Sequence, residues 1–154
     1  MSRIKPYLWF ENQAEEAAEF YVSLFENSRI TEVQRYPEGS PLPGGTVMIV
    51  TFELDGHEYI ALNGGPDFKF NESFSLYVSC KDQAEVDRLW DRLTADGGEP
   101  GQCGWLKDRF GLSWQIIPDA LSELLSSPDK DRATRVMQAM FTMHKLDVKT
   151  LENA

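Results

Sequence analysis

Hydrophobic and polar positions alternate along the chain in runs that predict short strands and helices. The opening run "IKPYLWF" (residues 4–10) is apolar and aromatic, which is typical of a strand. Apolar residues then recur at helical spacing from Ala14 to Phe25, and Asn12 is the predicted N-cap of this helix. Residues 29–36 predict a second strand, which ends in the proline- and glycine-rich loop 37–45.

The next segment, "TVMIVTFELDGHEYIALNGG" (residues 46–65), predicts a β-hairpin. Two strand-like runs flank Asp55 and Gly56, a dipeptide that favours the left-handed backbone of a type I′ turn. The first half of the chain is therefore predicted to have the order β-α-β-β-β.

The second half is predicted to have the similar order β-α-β-β, with room for one more short strand before Gly101. A strand over residues 73–80 precedes a helical segment, "KDQAEVDRLWDRLTADGG" (residues 81–98). Further strands are predicted near Gln102–Lys107 and Leu112–Ile117. The charged turn between them, Asp108–Gly111, is expected to be solvated rather than to supply acid-base groups.

The remaining residues are helical in character, and Pro128 divides them. One face carries apolar side chains at helical spacing, which predicts a core or a subunit contact; packing across a homodimer is the favoured interpretation. The residues of this face are Ala133, Val136, Met137, Met140 and Phe141.

Taken together, these elements predict an α+β fold. Two βαβββ modules, at about residues 4–65 and 72–118, and a helical C-terminal tail at about 119–154 are expected to form a single domain over residues 1–154.

Composition and charge restrict the classes of partner. The chain has 154 residues, 42% of them hydrophobic and 26% charged, as is typical of a globular protein. A net charge of -10 without a Lys/Arg cluster argues against nucleic acid. No apolar run approaches the roughly 20 residues of a membrane span. The N-terminal segment lacks an apolar signal region, so a cytoplasmic location without a membrane partner is predicted.

Four segments carry a resemblance to a known family: "PYLWFENQAEEAAEFYVSLF", "IALNGGPDFKFNESFSLYVSC", "VDRLWDRLTADGG" and "CGWLKDRFGLSWQIIP". Together they resemble the PhnB-like group of the vicinal oxygen chelate superfamily, also called the glyoxalase/bleomycin resistance/dioxygenase superfamily. Members of this group are often labelled 3-demethylubiquinone-9 3-methyltransferase-like. The resemblance implies two βαβββ modules whose curved sheets form a cleft.

In the metalloenzymes of that superfamily, four cleft strands each carry one metal ligand. The resemblance places the corresponding positions at Tyr7–Trp9, Ala61–Asn63, Phe74–Leu76 and Gln115, and none of these residues is His, Asp or Glu. The chain's histidines stand elsewhere: His57 follows the hairpin turn, and His144 is expected in the tail, away from both modules. No metal and no cofactor are therefore expected.

Aromatic and amide side chains remain as the expected lining of the cleft. They suit an apolar or aromatic small molecule, with Asn63 and Gln115 setting its orientation, although an individual aromatic residue at such a position is more often part of the core. The predicted binding residues are Tyr7, Trp9, Asn63, Phe70, Tyr77, Trp105, Trp114 and Gln115.

Three functions remain open at this stage. The chain could be a metal-independent small-molecule-binding protein, a metal-dependent lyase, isomerase or dioxygenase, or a structural or regulatory dimer with a vestigial cleft. Methyl transfer from S-adenosylmethionine is not expected, because each glycine pair is explained by a loop or a helix cap and none forms the usual glycine-rich turn. Neither the ligand nor any catalysis follows from the sequence.

Overall fold

The computed structural model describes residues 2–154, which form two compact units: the chain up to Lys69, and Phe70–Ala154. The elements of the first unit are β1 (Tyr7–Phe10), α1 (Ala14–Val22), β2 (Arg29–Arg35), β3 (Val47–Leu54) and β4 (His57–Asn63). The elements of the second unit are β5 (Ser75–Cys80), α2 (Gln83–Thr94), a 3-10 turn (Ala95–Gly97), β6 (Glu99–Pro100), β7 (Trp105–Lys107), β8 (Ser113–Pro118), α3 (Asp119–Leu125), α4 (Lys130–Met140) and α5 (Val148–Glu152).

Each unit contains a four-stranded mixed sheet, and the two sheets have the same topology. The strand order is β1-β4-β3-β2 in the first unit and β5-β8-β7-β6 in the second. The outer strand β1 runs parallel to β4, as β5 does to β8, and the remaining neighbours are antiparallel. The predicted α+β fold of two βαβββ modules with helices at the C-terminal end is confirmed.

The predicted hairpin is also confirmed. Asp55 and Gly56 have φ angles of 49° and 81°, so both lie in the left-handed region that a type I′ turn requires. The turn sets the register of β3 against β4, in which Leu54 pairs with His57.

Helix α1 is capped by a residue remote in sequence. The prediction that Asn12 caps it is wrong, because the helix begins at Ala14 and its N-cap residue, Gln13, makes no side-chain capping bond. Instead, the backbone N–H of Ala14 donates to Oδ1 of Asn63, at the end of β4, over 2.8 Å. The amide of Asn63 therefore satisfies one of the free N–H groups at this helix terminus.

The tail belongs to the second unit. Its three helices pack around a core cluster of Ile117, Leu121, Val136, Leu146 and Leu151. In the tail face predicted from helical spacing, Val136 is buried in this cluster, whereas Met137 and Phe141 are 45% and 61% exposed.

Polar contacts join the tail to the rest of its unit. The amide of Gln83 in α2 donates to the carbonyl of Leu146 over 3.0 Å and accepts from the N–H of Val148 over 2.7 Å. The expectation that His144 lies away from both modules is wrong, because its Nδ1 is 2.7 Å from the carbonyl oxygen of Gly101. In addition, the backbone N–H groups of Cys103 and Gly104, between β6 and β7, donate to the carbonyls of Met143 and His144 over 2.8 Å each.

Candidate functional site

A groove of about 820 Å³ lies in the second unit, and we call it the second-unit groove. From the sheet it is lined by Tyr77, Trp105, Lys107, Ser113, Gln115 and Ile117. From α3 and the end of α4 it is lined by Leu121, Ser122, Leu125, Met140 and Phe141. The lining is mainly apolar, with polar side chains concentrated on the sheet.

Strand register brings the groove residues of the sheet together. Gln115 on β8 pairs with Tyr77 on β5 and with Trp105 on β7, so one row across the sheet reads aromatic, amide, aromatic. Because successive side chains of a strand point to opposite faces, residues two positions apart share the groove face. Of the predicted binding residues, the structure therefore places Tyr77, Trp105 and Gln115 in one groove.

The neighbouring row is polar. Ser113 on β8 pairs with Ser75 on β5 and with Lys107 on β7. Nε2 of Gln115 donates to Oγ of Ser75 over 3.0 Å, which ties the two rows together. Ser113 is only 1% exposed, and its hydroxyl has no hydrogen-bond partner among the described residues.

Sequence reasoning did not identify Ser113 as a site residue. The signal was present in the alternation of "SWQII" (residues 113–117), where Ser113 and Gln115 share one face and the apolar Trp114 and Ile116 share the other. A serine within a strand is common, so its lack of a partner becomes visible only in the folded chain.

Among the residues that line the groove, Lys107 carries the one ammonium group. Nζ of Lys107 lies 2.5 Å from a carboxylate oxygen of Glu72, and this hydrogen bond raises the pKa of Lys107 above its ordinary value. Glu99 also lines the groove and adds a smaller contribution in the same direction. Two carboxylates and one ammonium give the groove a net negative character.

Trp114, another predicted binding residue, lies on the opposite face of β8 from Gln115. It is 1% exposed and its Nε1 donates to Oδ2 of Asp108 over 2.9 Å. Trp114 is therefore a core residue and does not line the second-unit groove, which corrects the expectation. Adjacent strand residues such as Trp114 and Gln115 cannot both face one groove.

The turn Asp108–Gly111 also differs from expectation, because Asp108 is 2% exposed rather than solvated. Its Oδ1 accepts the backbone N–H groups of Phe110 and Leu112, at 2.8 and 3.1 Å. The carboxylate thus organises the turn that leads into β8, and it is held away from the groove.

Of the predicted residues of the first unit, Trp9 and Asn63 have hydrogen-bond partners within that unit. Tyr7 is 53% exposed, and the indole of Trp9 donates to the carbonyl of Gly65 over 2.9 Å. Asn63 is 6% exposed; besides accepting from Ala14, its Nδ2 donates to the carbonyl of Val47 over 3.1 Å. Its amide is thus engaged at both ends. Phe70, in the second unit, is half-buried and is not part of the groove lining.

The residues at the superfamily's metal-ligand positions do not fit a divalent transition metal. Asn63 and Gln115 offer only amide groups, and the amide of Asn63 is already engaged at both ends. Across residues 2–154, no group of three or more His, Cys, Asp or Glu side chains is arranged to hold a metal ion. Imidazole, thiolate and carboxylate ligands normally supply such sites.

The two cysteines differ in environment. Cys80 is fully buried, and burial, followed by the nearby carboxylates of Glu85 and Asp119, raises its pKa to about 12. A thiol of this kind stays protonated and is a poor nucleophile near neutral pH. Cys103 is half-buried and lines the groove.

Comparisons with known proteins give a consistent family likeness. Residues 2–117 match the family model described as 3-demethylubiquinone-9 3-methyltransferase. A PhnB protein from Bacillus cereus, described as a candidate 3-demethylubiquinone-9 3-methyltransferase, is similar in structure with a TM-score of 0.70 and 36% identity; the match covers 76% of this chain and 99% of that one.

A second solved structure, the protein PA1353 from Pseudomonas aeruginosa, is similar in fold. Its TM-score is 0.61 at 21% identity, and the match covers 77% of this chain and 100% of that one. A search of curated proteins found no match.

Proposed function

Because the chain belongs to the 3-demethylubiquinone-9 3-methyltransferase family of PhnB-like vicinal oxygen chelate proteins, we propose that it binds a small apolar or aromatic molecule without a metal. The observation that carries this proposal is the second-unit groove with its row of Tyr77, Gln115 and Trp105. A volume of about 820 Å³ lies within the usual range for small-molecule pockets.

The row of Tyr77, Gln115 and Trp105 is suited to binding a ligand that contains a flat ring. Tyr77 and Trp105 lie two strands apart, a separation of roughly 10 Å, with Gln115 between them. A flat molecule can stack on either aromatic side chain or lie between them, while Leu121, Leu125 and Met140 bury its apolar surface from the helix side. The amide of Gln115 then sets the orientation of the molecule by hydrogen bonding.

The side chains at the family's metal-ligand positions support the proposal that binding needs no metal. A divalent cation that leaves water needs charged or imidazole ligands to offset the cost of losing its hydration shell. The family's ligand positions here carry only amide, hydroxyl, aromatic and aliphatic side chains. We therefore assign no step to a metal.

Methyl transfer is likewise not assigned to the chain, despite the description of its family. Class I transfer from S-adenosylmethionine uses a doubly wound parallel sheet with a glycine-rich turn after its first strand. The sheets here are mixed and four-stranded, and β1 leads into a turn without glycine, "ENQ" (residues 11–13).

We further propose a cytoplasmic homodimer. Met137 and Phe141 are 45% and 61% exposed at the C-terminal part of α4, and a second copy of the chain would cover such apolar side chains. Both cysteines are free, which suits a reducing compartment. No helix of residues 2–154 has the length and apolar character needed to cross a membrane.

The proposal is tested by binding and by metal content together. Neutral aromatic compounds are titrated into chelator-free, untagged protein while tryptophan fluorescence is followed, since Trp105 lines the groove. Gln115→Ala should weaken binding roughly three- to tenfold, the usual effect of one lost hydrogen bond. Gln34→Ala, an exposed amide of β2 in the first unit, is the matched control and should change nothing.

Elemental analysis of the same protein should give well under one Zn, Ni, Mn or Fe per chain. Stoichiometric metal, or the same loss of binding in both amide variants, would contradict the proposal. Saturable binding that is insensitive to Gln115→Ala would place the ligand outside the second-unit groove.

A further inference from the structure

We define a polar strip on the sheet of the second unit as Ser75, Lys107, Ser113 and Gln115, of which the last three line the second-unit groove. From this strip we propose that the ligand is an uncharged aromatic molecule bearing a hydroxyl group, which hydrogen bonds to Ser113 and Gln115. Ser113 would thus be a specificity-determining residue. This inference rests on the proposed function and adds the chemical class of the ligand.

The buried hydroxyl of Ser113 is the first observation. At 1% exposure, it has no hydrogen-bond partner among the described residues. Burying a hydroxyl without a partner lowers stability, whereas alanine at the same position would carry no such penalty. An unpartnered polar group on a groove face lowers the stability of the free protein. Such a group is expected where a bound ligand supplies the missing hydrogen-bond partner.

The orientation of Gln115 is the second observation. Its Nε2 donates to Oγ of Ser75 over 3.0 Å, which leaves the carbonyl oxygen Oε1 and the second hydrogen of Nε2 for a ligand. Oε1 only accepts hydrogen bonds, so a ligand uses it by donating one. A hydroxyl group can donate to Oε1, whereas a ketone, an ether or a carboxylate can only accept from the N–H.

A hydroxyl group meets both requirements at once. Ser113 and Gln115 are two residues apart on β8, so their Cα atoms are roughly 6.6 Å apart on the same face of the strand. An oxygen atom placed between the two side chains is within hydrogen-bond reach of both. It can donate to Oε1 of Gln115 and accept from the Ser113 hydroxyl.

The charges of the groove disfavour an anion. Glu72 and Glu99 contribute two carboxylates, and Lys107 contributes the ammonium that is already paired with Glu72. Since Lys107 stands directly opposite Ser113 in the register and its side chain is 39% exposed, it can move aside for a ligand at modest cost.

Three probes with the same ring system separate the contributions: 2-naphthol, 2-methylnaphthalene and 2-naphthoate. Binding to the full chain is measured by tryptophan fluorescence at equal protein concentration. We expect 2-naphthol to bind roughly three- to tenfold more tightly than 2-methylnaphthalene, and 2-naphthoate to bind the most weakly.

Two serine variants then test the assignment. Ser113→Ala should remove the preference for 2-naphthol and leave the affinity for 2-methylnaphthalene unchanged. Ser79→Ala makes the same chemical change at an exposed position of β5 that does not line the groove, and should preserve the preference. Melting temperature gives an independent readout: Ser113→Ala should keep or raise it, because the variant removes an unpartnered buried hydroxyl.

The outcomes distinguish this inference from the proposed function. If neither 2-naphthol nor 2-methylnaphthalene binds, the proposed function fails for aromatic ligands. If both bind equally well, or if Ser113→Ala weakens both equally, the groove binds rings but the hydroxyl assignment is overturned. A clear fall in melting temperature for Ser113→Ala would also overturn it, because the hydroxyl would then be structural.

Discussion

The indole of Trp114 donates a hydrogen bond of 2.9 Å to the buried carboxylate of Asp108, across the turn that joins β7 to β8. Through this bond and the two backbone N–H groups of Phe110 and Leu112, the carboxylate sets the start of β8. The groove residues Ser113 and Gln115 lie on the other face of that strand from Trp114. One face of β8 therefore packs in the core, and the other face carries residues of the proposed binding groove.

Asp108→Asn should destabilise the protein by about 1–3 kcal/mol, because the amide replaces an acceptor oxygen by a donor where three N–H groups require acceptors. Urea unfolding monitored by circular dichroism measures the loss. The control, Asp67→Asn, changes an exposed aspartate of the first unit and should stay within about 0.5 kcal/mol of the parent. Equal stability of the two variants would show that the Asp108 contacts do not stabilise the fold.

The amides of Asn63 and Gln115 should differ in their effect on stability. Asn63→Ala removes the cap on Ala14 and the bond to Val47, so we expect a loss of about 2–3 kcal/mol and a lower melting temperature. Gln115→Ala should leave the melting temperature nearly unchanged, because its amide is only half-buried and bonds to one side chain. A large loss of stability in the Gln115 variant would make that amide structural.

Acid should weaken the link between α2 and the tail. A hydrogen bond from Lys145, 2.8 Å away, lowers the pKa of Asp87 below its ordinary value. A lowered carboxyl pKa contributes stability above the unfolded value of about 3.9, and that stability is lost as the pH falls through the folded value. Both side chains are more than one third exposed, so the contribution is limited to about 0.2–1 kcal/mol.

The check compares the parent protein with Asp87→Asn in urea unfolding near pH 7 and near pH 3. The stability difference between them should shrink at the lower pH, because protonation removes the same charge from the parent. Asp67→Asn, at an exposed position of the first unit, serves as the control. A difference that stays constant with pH would show that the ion pair does not stabilise the folded state.

Light scattering at micromolar concentration should give twice the chain mass of 17.5 kDa. If the apolar residues of α4 form the contact, Met137→Lys should shift the protein toward the monomer by placing a charge at an exposed apolar position. A monomer mass for the unmodified chain would refute the homodimer.

Local patterns in the sequence determined the order of the elements. The two βαβββ modules, the Asp55-Gly56 hairpin and the buried face of α2 all follow from hydrophobic periodicity and turn chemistry, which act between residues close in the chain. The family likeness and the choice of Tyr77, Trp105 and Gln115 as binding candidates were likewise available from the residues alone.

Only the tertiary structure shows which polar groups have hydrogen-bond partners and which have none. Asn63 caps a helix 49 positions earlier in the chain, and Gln83 bonds to the tail more than 60 positions later. Ser113 lacks a partner although it lies in a row with Ser75 and Lys107. A hydrogen bond depends on distances of about 3 Å between atoms that only folding brings together, so no periodicity in the sequence could assign these roles.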